Sequence, residues 1–281
     1  MPDITLIFDY LCARCGIDPT DERGMTTTEV AVITFLLVGA TACEPPRPED
    51  KAKPILLIHG WGLGADTDCG GTFDGMIAKL RAAGFTGPFV RVGFYSKNTN
   101  CDVNLRSWGP VEDGSHSKVV AQAFSKYVYA TYTSKGKAVD VVGYSMGGNV
   151  ARGAVQGAQK GEAGFSAPIK VEDVALLGAP MNGAAWYSSF CLWGMCSSLK
   201  PGADDVKWLQ SVGNPQGVGG TEWTAFGSEA DAVTPVDSAL KIDVPANRKV
   251  RYTNVPHTGS DNYMGRADVV ARAASVRAGG V

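Results

Sequence analysis

The sequence predicts an α/β fold, with a mostly parallel central sheet and helices on both faces. Three observations point there. Short apolar, β-branched runs alternate with longer stretches whose apolar residues recur at helical spacing. Glycine is frequent, 35 of 281 residues, which suits many tight loops between strands and helices. Each polar residue with a chemical reading follows a predicted strand, where such sheets collect their chemistry.

The elements follow in order. KPILLIHGWG reads as a buried strand entering a glycine-rich loop. TFDGMIAKLRAAGF places Phe73, Ile77 and Leu80 at helical spacing and stops at Gly84. PFVRVGFYS is a second strand. SHSKVVAQAFSKYVYATYTSKG is a helix with Val120, Phe124 and Val128 on one face, again closed by glycine. AVDVVG is a strand that turns directly into MGGNVARGAVQGAQK, a helix carrying Val150, Ala151 and Val155. VEDVALLGAPMNGA, TEWTAFGSEADAVTP and RKVRYTNVPHTGS each run from strand to loop, and ADVVARAASVRAGG closes the chain as a helix.

With 44% hydrophobic content, the chain can bury one good core. The first 54 residues differ from the rest. Residues 30–42, VAVITFLLVGATA, form an apolar run of 13. That is short of the roughly 20 needed to span a membrane and within the roughly 7–15 of a secretory core. Ala40-Thr41-Ala42 supplies a small-x-small cleavage site, and CEPPRPEDKAKP follows as a Pro-rich charged spacer. The division expected is an extension with export signal over 1–42, a linker over 43–54 and a catalytic domain over 55–281. The product is then secreted. Alternatively Cys43, directly after the cut, carries lipid and anchors the protein at the cell surface. Acidic residues outnumber basic ones before the apolar run, against the usual signal. A start at Met25 would remove that segment together with Cys12 and Cys15.

Of the 26 basic and 28 acidic residues, two and six lie in 1–42, leaving 24 and 22 for the remainder. That near-neutral balance points away from nucleic acid. A monomer is expected. Beyond Cys43 there are four cysteines, Cys69, Cys101, Cys191 and Cys196. An even count after an export signal suggests two disulfides. Proximity favours Cys191–Cys196, which leaves Cys69 for Cys101; free buried thiols are the alternative.

Ser145 sits at the strand-to-helix turn, within Gly143-Tyr144-Ser145-Met146-Gly147. This G-x-S-x-G pattern is a nucleophile elbow, though small residues around a serine also suit close helix–strand packing. A serine hydroxyl needs a base, and the base needs an acid to orient it. The chain has three histidines, His59, His116 and His257. With a nucleophile elbow the order is nucleophile, acid, base, and only His257 follows Ser145. His116 reads as a solvent-facing or capping residue. Asp204, Asp205, Glu222, Glu229, Asp231, Asp237 and Asp243 lie between the two. Asp204 and Asp205 suit a solvated or capping role at a helix start. Asp231, after EWTAF and before Val-Thr-Pro, is the preferred acid, with Glu229 as the alternative. Two backbone N–H groups must face the developing oxyanion. Met146, at the helix start, supplies one. Trp61 supplies the other, with Gly60 allowing close approach and His59 shaping the loop.

LLIHGWG, VVGYSMGG, LLGAPMNG, SEADAVTP and VPHTG resemble the corresponding segments of α/β-hydrolase lipases. The resemblance is greatest to the small, lid-less bacterial lipases of the lipase class 2 family, over roughly residues 53–275. It implies the α/β-hydrolase fold and ester hydrolysis through an acyl-enzyme. By motif it makes Ser145 the nucleophile, Asp231 the acid, His257 the base, and Trp61 and Met146 the oxyanion donors. The sequence departs from the family at Tyr144, where histidine is commoner, and at SSFCLWGMCSSLKPG, which looks like an insertion with its own disulfide. Trp61 also crowds the acyl site. Tyr144, Trp186 and Trp193 are expected to contact substrate. Trp186, Tyr187, Phe190, Trp193 and Met195 form either an apolar rim or the packing of a stapled loop.

The function expected is hydrolysis of carboxylic esters, of acyl glycerols or similar lipids, with no metal or organic cofactor. Acyl transfer, or thioester or amide cleavage on the same triad, is the alternative. A non-catalytic binding protein on this fold is a third reading.

Overall fold

The computed structural model describes residues 50–62, 64–185 and 194–277. The chain divides into two units, Met1–Pro48 and Glu49–Val281. The expected export signal, Cys43 and most of the expected linker fall outside the described residues.

Seven strands are present among the described residues, in the order β3-β2-β1-β4-β5-β6-β7, all paired in parallel. They are β1 (Ile55–Ile58), β2 (Phe89–Gly93), β3 (Val103–Asn104), β4 (Val139–Tyr144), β5 (Val171–Leu177), β6 (Glu222–Ser228) and β7 (Lys249–Tyr252). The principal helices are α1 (Cys69–Ala82), α2 (Ser117–Thr131) and α3 (Met146–Gln159). After them come α4 (Gly194–Ser197), α5 (Asp204–Gln210), α6 (Val236–Ala239) and α7 (Ala267–Arg277).

A parallel sheet needs cover on both faces, and β1 shows how the sequence supplies it. All four of its residues are buried. Leu56 and Ile58 face the side packed by Val120, Phe124 and Val128 of α2 and by Val150 and Ala154 of α3. Ile55 and Leu57 face the side packed by Phe73, Met76 and Leu80 of α1 and by Val269 and Val270 of α7. The period of two in the strand and the helical periodicity meet at the same surfaces. Each such aliphatic side chain stabilises the fold by about 1.5–3 kcal/mol. Every strand and major helix expected from the pattern is present. The additions are β3, too short to show a period, and α4 and α6, each about one turn.

Two buried cations are held by polar partners. Before β1, the Lys53 ammonium lies 3.0 Å from Asp140, 2.8 Å from Glu172 and 3.5 Å from Asp173. Burial opposes its charge, but the three carboxylates outweigh burial and hold Lys53 above the usual lysine range. Lys53 was expected in the linker; its side chain is built into the sheet's amino edge. In α3, the fully buried Arg152 donates to the carbonyls of Val212, Gly213 and Lys241, at 2.9, 3.3 and 3.3 Å. Burial lowers its pKa to about 10, so it stays charged at neutral pH.

The expected Cys69–Cys101 disulfide is present and ties the start of α1 to the segment before β3. Cys196 is disulfide-bonded; its expected partner, Cys191, lies outside the described residues. The first bridge spans 32 residues, a loop whose closure entropy is worth about 3–4 kcal/mol in the unfolded chain. Replacing Cys69 and Cys101 together by alanine should lower the unfolding free energy by about 3 kcal/mol. Urea unfolding measures it, and an unchanged midpoint would contradict this account.

Candidate active site

The site grows from the end of β4. Ser145 follows Tyr144 with φ 53° and ψ −129°, a left-handed conformation that costs a non-glycine residue of order 1–3 kcal/mol. Two close approaches impose it. A Cβ on Gly147 would stand 2.2 Å from the Ile58 carbonyl oxygen, and one on Gly143 would stand 2.5 Å from the Gly148 Cα. The Ser145 N–H donates to the Leu177 carbonyl at 2.9 Å, which ties the elbow to β5.

Strand register brings the partners alongside. Ile58 pairs with Gly143, so the loop from His59 to Gly62 leaves β1 beside the elbow. A Cβ on Gly60 would meet the Ser145 Cβ at 2.6 Å. On the other side Ser228 pairs with Tyr252, so the loops after β6 and β7 start together. The Ser228 hydroxyl then accepts the Val255 N–H at 2.9 Å.

These loops deliver Asp231 and His257. The His257 Nε2 is 2.9 Å from the Ser145 Oγ, and its Nδ1 is 2.8 Å from the Asp231 Oδ2. All three side chains are buried. An ionised carboxylate only accepts, so Nδ1 carries the proton and Nε2 offers its lone pair to the serine hydroxyl. The carboxylate is saturated: Oδ1 accepts from the backbone of Val233 and Thr234, at 2.9 and 2.8 Å. Oδ2 also accepts the Tyr263 hydroxyl, at 3.0 Å. Ser145, His257 and Asp231 form a catalytic-triad arrangement on an α/β-hydrolase fold.

The other candidates fall elsewhere. Glu229 is exposed and lies 3.6 Å from Arg251. His116 stands at the N-terminus of α2 with its side chain largely exposed. Asp205 does cap a helix, but a neighbouring one: its Oδ2 accepts from the Ser117 hydroxyl and the Lys118 N–H of α2, at 2.9 and 3.1 Å. Tyr144, expected to touch substrate, donates its hydroxyl to the His257 carbonyl at 2.5 Å. Burial, with the Asp231 charge, pushes its pKa up, so the phenol stays protonated. Trp186 and Trp193 lie outside the described residues. Trp61 is partly exposed beside the elbow. Among the described residues the N–H groups of Trp61 and Met146 have no acceptor.

His59 is buried and stacked on Phe94, with ring centroids 4.1 Å apart. Its Nδ1 donates to the Gly60 carbonyl at 2.8 Å. Its Nε2 accepts from the Asn98 amide at 3.2 Å, because the Asn98 oxygen is committed to the N–H groups of Phe94 and Tyr95. Burial lowers the His59 pKa to about 4.

A family model for lipase (class 2) matches residues 52–238. The chain belongs to the class 2 lipase family. The matched span includes Ser145 and Asp231 and ends before His257. No curated protein sequence matches. Among solved structures, phospholipase PlaB from Legionella pneumophila is 11% identical with a TM-score of 0.56, covering 80% of this chain and 60% of that one. PlaB in complex with thio-NAD is 13% identical with a TM-score of 0.53, covering 81% and 57%. The chain thus spans less than two thirds of PlaB. The mature form of the Bacillus licheniformis lipase BlEst2 is 15% identical with a TM-score of 0.48, covering 76% and 87%. At such identities the PlaB likeness concerns the fold.

Sequence reading missed Tyr263, Asn98 and Tyr95, and nothing in their local patterns marks them. Replacing Tyr263 by phenylalanine removes one donor from Asp231 and should lower kcat/KM by roughly three- to tenfold. Steady-state kinetics beside a thermal melt would test this; unchanged kinetics would assign the hydroxyl to stability alone. His59 predicts an acid sensitivity. Below its ordinary value of 6.5 the unfolded chain takes up a proton that the folded chain refuses until about pH 4. Stability is therefore full above that window and falls as pH drops through it, by about 3 kcal/mol in total. A His59→Asn variant should show a flatter dependence of Tm on pH between those limits, and equal slopes would refute it.

Proposed function

We propose that the protein is an exported lipase or esterase that hydrolyses acyl glycerols or similar lipid esters through an acyl-enzyme. The observation that carries this is the unbroken line Ser145 Oγ–His257 Nε2 and His257 Nδ1–Asp231, at 2.9 and 2.8 Å, on a nucleophile elbow. In this reading the Ser145 oxygen attacks the ester carbonyl as its proton passes to His257. The tetrahedral oxyanion is met by the N–H groups of Trp61 and Met146. His257 then protonates the leaving alcohol, and water, activated by the same imidazole, releases the carboxylic acid.

Export rests on the apolar run over 30–42, the small-x-small site after it, and the Cys69–Cys101 bridge, which suits an oxidising compartment. A lipid on Cys43 is the surface-anchored version of the same proposal. The domain division follows from it, with catalysis confined to the unit after the linker. The exposed Trp61, next in sequence to the Gly60 that packs on Ser145, supports an apolar acyl group by offering apolar surface near the elbow.

A chain-length series of p-nitrophenyl esters, with wild type and Ser145→Ala, tests both nucleophile and substrate class. Wild type should turn over esters and label with a fluorophosphonate. The variant should lose at least roughly a thousandfold in kcat and all labelling. An active Ser145→Ala enzyme, or an unlabelled wild type, would overturn the proposal.

A further inference from the structure

Tyr95 follows β2 and is fully buried, yet the reaction just described gives its hydroxyl no part. That hydroxyl accepts the Gly62 N–H at 3.0 Å and directs its own hydrogen to the Met195 sulfur, also at 3.0 Å. The residue itself is immobilised. Its N–H donates to Asn98 and its carbonyl accepts from Asn104 at 2.8 Å. Its ring packs on Phe94 and His59, with centroids 4.6 and 5.4 Å away.

The peptide bond is planar and trans, so a carbonyl and the following N–H point in opposite directions. His59 holds the Gly60 carbonyl. It thereby turns the Trp61 N–H to the other side of that peptide. Tyr95 holds the next peptide by its Gly62 N–H. The two peptide groups flanking Trp61 are thus fixed from separate side chains. The loop has little room to relax, since a Cβ on Gly62 would stand 2.6 Å from the Asp66 carbonyl oxygen.

We propose that Tyr95 is a positioning residue for the oxyanion hole, aiming the Trp61 N–H by holding the Gly62 N–H on its hydroxyl. This rests on the reading of Trp61 as an oxyanion donor. An oxyanion donor matters most when charge has developed, so its misalignment lowers kcat more than it raises KM. An effect confined to the developing oxyanion leaves ground-state binding nearly unchanged.

The test uses Tyr95→Phe, which keeps the ring and removes the hydroxyl. Kinetics on p-nitrophenyl butyrate are compared with inhibition by an alkyl trifluoromethyl ketone, whose adduct with Ser145 places an oxyanion in the hole. Tyr95→Phe should lose about tenfold in kcat with KM within about twofold, and ketone affinity should fall by the same factor. Met195→Leu serves as the packing control. It keeps the Gly62 partner and should lose less than about threefold in either measure. A Tyr95→Phe enzyme with wild-type kcat and ketone affinity would overturn the role of Tyr95 while leaving the oxyanion reading intact. Equal losses in Tyr95→Phe and Met195→Leu would overturn it too, by assigning both effects to packing. A wild type that binds the trifluoromethyl ketone no better than the parent methyl ketone would remove the oxyanion hole itself, and the Tyr95 assignment with it.

Discussion

The close contact between Gly147 and the Ile58 carbonyl is the constraint on which the site depends. It lets the start of α3 lie against the end of β1 with no side chain between them. Ser145 is left with a backbone that only the surrounding sheet keeps in place. The same contact fixes how far the loop after β1 stands from the hydroxyl. The turn that holds Ser145 and the loop after β1 are thus set by one packing event between α3 and β1.

The opposite side of the site is organised by a buried negative charge. Asp231 spends both oxygens on four donors drawn from its own loop, from His257 and from Tyr263. Such a carboxylate tolerates burial because its lone pairs are occupied. Tyr144 and Tyr263 bracket this centre, one holding the histidine's backbone and the other the acid. The two buried histidines contrast through their partners. His257 faces a carboxylate, whereas His59 faces a carbonyl and an amide and serves as a neutral spacer under the loop after β1.

Much of this was legible in the order of residues. β-branched runs marked the strands, helical spacing marked α1, α2 and α3, and the elbow placed Ser145. His257 followed by elimination among three histidines, and Asp231 by its place after β6. The rest was hidden for a physical reason. Tyr95, Asn98 and Tyr263 matter through contacts set by register between strands distant in sequence, and no local period encodes register. Asp205 was readable as a capping residue, but not as the cap of a helix some 88 positions earlier. β3 and α6 are too short to carry a pattern.

Lys53 bears on where the polypeptide can be trimmed. Its ammonium is surrounded by Asp140, Glu172 and Asp173, acids from two neighbouring strands that repel one another when it is gone. A chain shortened before this lysine keeps the ammonium among them, whereas one shortened past it leaves three acids crowded at the amino edge of the sheet. The proline-rich stretch upstream therefore has a downstream limit set by electrostatics, two residues short of the first strand.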